Sequence, residues 1–132
     1  MPPRDLFLAS LKRCSENAEF IPAFYRRFLS GPERIRKMFE HTDFEQQHSK
    51  LRTSLQLCAN ATIGDPAALR ELRDRATSHD RYHLNVTPDL YEFWLSAMIG
   101  TASEFDEHWD DNVEAAWKTI LQHVINVMTR HY

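Results

Sequence analysis

A chain of 132 residues with 42% hydrophobic residues and 3 glycines has enough apolar material for one packed domain and too little for two. Its formal net charge of −3, from 16 basic and 19 acidic residues mixed along the chain, leaves no basic stripe for nucleic acid. No apolar run approaches the roughly 20 residues of a membrane span, Met1-Pro2-Pro3-Arg4-Asp5 lacks the basic-then-apolar order of a secretory signal, and Cys14 and Cys58 show no CxxC spacing, so a cytoplasmic protein with reduced cysteines is expected.

After the double proline, Leu6, Phe7, Leu11 and Cys14 recur at helical spacing and predict a first amphipathic helix ending near Phe20. A second begins around Ile21-Pro22, with Pro22 in its first turn, where a missing N–H costs nothing, and runs through Phe24-Tyr25-Arg26-Arg27-Phe28-Leu29 until Gly31 stops it. Pro32 starts a short helical segment, Glu33 to Phe39, with Ile35, Met38 and Phe39 on its apolar side. Thr42 or Asp43 caps the next helix, along which Phe44, Gln47, His48, Leu51, Leu55 and Cys58 share one side, apolar except near its start.

Gly64 breaks the pattern, Asp65 caps, and Pro66 opens a helix in which Ala67, Ala68, Leu69 and Leu72 lead up to His79. Pro88 opens another, whose broad apolar face of Leu90, Tyr91, Trp94, Leu95, Met98 and Ile99 requires burial on more than one side. Asp106 to Asp111 interrupts, and Asn112 or Asp111 caps a last helix carrying Val113, Ala116, Trp117, Ile120, Leu121, Val124, Val127 and Met128 at spacings of three and four. No segment alternates with a period of two. The prediction is an all-α fold of six or seven helices forming one domain over residues 1–132.

Within that frame His79 stands at a helix corner, between a run that ends and a Pro88-started run that follows. A neutral imidazole there can bind a metal through one ring nitrogen when the other is oriented by a carbonyl, hydroxyl or carboxylate. Phe24-Tyr25 with Phe39 fourteen residues after Tyr25, Gln47 with Leu51 four residues later, His79 followed by Val86, Pro88 and Tyr91, and Ala116-Trp117 in the last helix together resemble bacterial single-domain globins and the globin domain of flavohaemoglobins. The resemblance covers nearly the whole chain and rests on the order and spacing of these pieces.

The resemblance implies a globin fold, haem b as cofactor, His79 as the iron's ligand and oxygen or another diatomic gas, such as nitric oxide or carbon monoxide, on the other face. It assigns Tyr25 and Gln47 as distal donors, Phe39 as the ring that stacks on the porphyrin, and Leu51, Val86, Tyr91 and Met98 as pocket wall, with Phe24, Phe28, Phe93 and Trp94 as wall or core. His48 is the rival to Gln47, and coordination by it would close the sixth position; a one-residue shift toward His48 would also put Arg52 where an apolar residue is expected. The long stretch between His79 and Val86 leaves His83 as a rival iron ligand, and Arg75, one turn before His79 where these globins place an apolar residue, either turns its guanidinium outward or pairs with a haem propionate. Gas binding is the function implied first; nitric oxide dioxygenation with a separate reductase, and gas sensing, are the alternatives, in a monomer or homodimer.

Overall fold

The structure, a computed structural model, describes residues 2–132, and among them it contains seven helices and no strand. They are α1 (Pro3–Ser15), α2 (Phe20–Leu29), α3 (Glu33–Met38), α4 (Phe44–Thr62), α5 (Pro66–His79), α6 (Pro88–Phe105) and α7 (Asp111–His131). The capping signals explain most of the boundaries. Asp43 accepts from the amides of Glu45 and Gln46 at the start of α4, Asp65 from Ala68 at the start of α5, and prolines occupy the first turns of α1, α5 and α6.

Two boundaries differ from expectation. The first helix ends at Ser15 rather than near Phe20, because Asn17 takes over locally: its side chain accepts from the Glu19 amide at 2.9 Å and its carbonyl from the Phe20 amide at 3.1 Å, which turns the chain into α2. The last helix is capped by Asp110, whose carboxylate accepts from Val113 at 2.8 Å, and not by Asp111 or Asn112.

Helix α1 packs along α7 and α2 along α6, while α4 touches α1, α2, α5 and α7 and so bridges the two halves of the molecule. The main core holds Phe7, Phe20, Phe24, Leu55, Met98 and Trp117 at full burial, with the Phe7 ring edge-on to Trp117 at 4.7 Å between centroids. A smaller cluster of Ala61, Ala68, Leu72, Ala76 and Met128 holds α5 against α4 and α7, with Tyr91 packed on it. Thus the apolar stripes on α4, α6 and α7 face inward as their spacing predicts. Phe93 does not follow them, standing 46% exposed on α6.

One polar knot is embedded in this core. Asp106, read from sequence as part of an interruption, is only 3% exposed and joins three helices. Arg13 grips it in a fork, Nε to Oδ1 at 2.5 Å and a terminal amino group to Oδ2 at 2.9 Å, and the Ser10 hydroxyl donates to Oδ2 at 2.5 Å. Trp117 Nε1 donates to Ser10 Oγ at 2.9 Å, and the His108 amide donates to Oδ1 at 2.9 Å. Burial works against the charge, yet these donors outweigh it and hold the Asp106 carboxyl below its ordinary range.

A buried ion whose partner is removed costs about 3–5 kcal/mol, so Arg13→Ala, which leaves the Asp106 carboxylate buried without its ion pair, should lower stability by about 3 kcal/mol or more in urea unfolding. Ser10→Ala, which leaves the Arg13 fork in place, should cost only about 1–2 kcal/mol. Because the folded Asp106 pKa lies below the unfolded value of about 3.9, its contribution is complete above about pH 4 and disappears as pH falls through the folded value. Acid unfolding should therefore begin at higher pH in Arg13→Ala than in the parent chain.

Candidate functional site

Helix α5 ends where Asp80 turns extended, at ψ 177°, and leaves His79 in the last helical turn. The Nδ1 atom of His79 lies 2.7 Å from the Arg75 carbonyl and 2.9 Å from Ser78 Oγ. Ser78 spends its own hydroxyl proton on that same carbonyl, at 2.9 Å, so both oxygens act as acceptors and the ring proton is assigned to Nδ1. Nε2 then carries a lone pair, and it makes no hydrogen bond among the described residues. Burial lowers the pKa of His79; the bond to the Arg75 carbonyl opposes this and the nearby Arg75 charge adds to it. The result is a half-buried, neutral imidazole in the tautomer a metal requires.

His83 has different surroundings. Its Nδ1 bonds to Asp80 Oδ1 at 2.7 Å, and more than half of its side chain is exposed. The bond to His83 is the main reason the Asp80 carboxyl is held low, and the same carboxylate accepts from the Tyr82 amide at 3.0 Å. The stretch after His79 folds back on the end of α5: Leu84 N reaches Ser78 O at 3.1 Å, Asn85 N reaches Asp80 O at 2.8 Å and Val86 N reaches His79 O at 2.9 Å. Asn85 takes a positive φ of 52° to allow this, a conformation its short polar side chain tolerates. Val86 emerges half-buried against the main core.

Arg75 turns neither outward nor to an open space. Its guanidinium crosses to α4, where it bonds to Ser54 Oγ, and it pairs with Glu71 at 3.8 Å, tying α5 to α4. Of the other wall residues, Leu51 is buried, Tyr91 is half-buried with its hydroxyl pushed up to about 12 by burial, and Met98 is wholly enclosed in the main core.

Tyr25, on α2, is 5% exposed. Burial pushes its hydroxyl up to about 12, with the Gln47 side chain acting the other way, so the phenol keeps its proton at neutral pH. Its ring sits among Phe24, Phe39, Phe44 and His48, at centroid distances of 5.0, 6.1, 5.7 and 5.1 Å. Phe39 follows the last residue of α3 and is half-buried, as are Gln47 and His48 on α4. Tyr25, Phe39, Gln47 and His48 are therefore brought into one group, while His79 stands at the end of α5. Ser78, Ser54 and Asp80 were not singled out from sequence; only the adjacency of Ser78 to His79 pointed to one of them.

Among the described residues no group of three or more His, Cys, Asp or Glu side chains could hold a bare metal ion. One oriented imidazole fits a metal whose remaining ligands come with a macrocycle, as in haem. A buried neutral phenol and an amide supply hydrogen-bond donors, and Phe39, Phe44 and Leu51 supply apolar surface, which is the donor set such a group requires.

The family model described as Globin matches residues 22–128. A crystal structure of a Pseudomonas aeruginosa protein, described as structurally highly homologous to a human hemoglobin, superposes with a TM-score of 0.94 at 30% identity, covering 99% of this chain and 98% of that one. A search of curated proteins finds no significant match.

Burial of both rings predicts that, in the chain without added haem, His79 and His48 titrate below the ordinary histidine value of about 6.5 in a proton NMR titration. A midpoint for His79 at or above that value would contradict the half-buried, Nδ1-pinned ring.

Proposed function

The chain belongs to the globin family, and on that premise we propose that it binds haem b with His79 as the iron's protein ligand and reversibly binds oxygen. The observation that carries this reading is the bond from His79 Nδ1 to the Arg75 carbonyl at 2.7 Å, which fixes the ring and leaves Nε2 free to coordinate. Haem, when bound, supplies an iron with one position left for a diatomic gas.

The protein's part is to orient and to discriminate. His79 is held by the turn it belongs to, so its direction does not depend on the ligand. Tyr25 retains its proton and offers it, with the Gln47 amide as second donor, to a diatomic that carries partial negative charge. Aromatic neighbours around Tyr25 exclude water, and a hydrogen bond donated in such surroundings is stronger than in solvent. Oxygen gains from this and carbon monoxide, far less polar, gains little. Tight oxygen binding with slow release follows.

Haem added to the purified chain should give a Soret band, and His79→Ala should abolish it or leave only weakly held haem. His83→Ala should retain the band, since His83 is occupied by Asp80; loss of haem only in the His83 variant would identify the other ligand. Tyr25→Phe should speed oxygen release about tenfold, the loss of one hydrogen bond worth about 1.4 kcal/mol. An unchanged rate would show that the hydroxyl is directed elsewhere.

A further inference from the structure

We propose that Arg75 sets the ferric–ferrous balance of the iron: its guanidinium, clamped onto α4 by Ser54 and one helical turn before His79, is a fixed positive charge between α4 and α5 that favours the ferrous form. The inference rests on the haem-binding reading above.

A side chain four residues before His79 lies on the same face of α5. Arg75 does not carry its charge from there into solvent. Only 28% of its side chain is exposed, and a terminal nitrogen donates to Ser54 Oγ on α4. Ser54 donates its own hydroxyl proton to the Lys50 carbonyl at 2.7 Å, so its oxygen is free to accept. Gln47, Leu51, Ser54 and Cys58 follow one another at spacings of four, three and four. The clamp therefore sits on the α4 stripe that carries the Gln47 amide and the Leu51 side chain.

The charge is only partly countered. Glu71, its ion-pair partner among the described residues, stands 3.8 Å away with 58% of its side chain in solvent, where water screens the carboxylate. Cys58 is 7% exposed and keeps its thiol proton, burial pushing it up to about 12, so it brings no negative charge. At Cys58 burial acts first and the Arg75 charge opposes it; at His79 burial acts first and the Arg75 charge adds to it. The field of the guanidinium thus reaches both helices.

A ferric haem core carries one more positive charge than a ferrous one. Repulsion from the guanidinium raises the ferric state more, and the step in which ferric iron takes one electron and becomes ferrous is favoured. At an effective dielectric constant of about 20, unit charges about 10 Å apart still shift an equilibrium about tenfold. Partial exposure and Glu71 reduce the effect to about fivefold. Oxygen binds the ferrous form, so the charge holds the chain in its gas-binding state.

The test is an optical redox titration of the haem-loaded full chain near neutral pH, the electron coming from an electrode through mediator dyes. At the parent midpoint the ferrous-to-ferric ratio should fall about fivefold, or about 40 mV for one electron, in Arg75→Gln, which keeps a polar side chain and loses the charge. Arg75→Lys should stay within about twofold of the parent. Glu71→Gln, an exposed change that uncovers the guanidinium, should raise the ratio about twofold, a direction that loss of packing does not produce.

Equal shifts in Arg75→Gln and Arg75→Lys, or a ratio that falls or stays in Glu71→Gln, would overturn the proposal. If Arg75→Gln fails to hold haem, the direction of the Glu71→Gln shift decides. Absence of a Soret band from the parent chain would overturn the function proposed above and this inference with it, whereas haem uptake with unchanged potentials would overturn this inference alone.

Discussion

The site turns on one hydrogen bond, from Nδ1 of His79 to the carbonyl of Arg75 four residues earlier in the same helix. Here a side chain in the last turn of the helix bonds back to a carbonyl one turn earlier in the same helix. That single contact fixes tautomer, ring direction and, with burial, the neutral state. The elements around it preserve it. Arg75, whose carbonyl is the acceptor, is anchored to α4 through Ser54, and the loop after His79 folds back by three backbone bonds onto the same turn.

The group around Tyr25 is built on the opposite principle. Tyr25 is located chiefly by the shapes of its neighbours, with the Gln47 side chain beside its hydroxyl and α4 supplying Phe44, Gln47, His48 and Leu51 from one face. Because α4 contacts both α2 and α5, it sets the relation between the tyrosine and the histidine. The buried knot at Asp106 performs a comparable service at the other end, locking α1 to the junction of α6 and α7 so that the framework behind the site is fixed.

The helices were legible because their signals are local. Asp43, Asp65, Pro66 and Pro88 mark starts that depend only on nearby amides, and the three-and-four spacing of α4, α6 and α7 survives into the core. What spacing could not show is how polar side chains find distant partners. Asp106 meets Ser10 from 96 positions away, so it read as a loop residue, and Arg75 meets Ser54 from 21, a partner that its spacing to His79 did not suggest. The same holds at His48: periodicity put it on the buried side beside Gln47, but not that its ring would lie parallel to Tyr25. Phe93, on α6, is left exposed although Ala97, one turn later, is buried.

Family membership, the pinned imidazole and the buried phenol converge on one geometry, and a crystal structure of the haem-loaded chain tests it most directly. His79 Nε2 is expected on the iron, Nδ1 still on the Arg75 carbonyl, and the Tyr25 hydroxyl directed at the ligand position. Iron held by His83, or by His48 on the distal side, would contradict it.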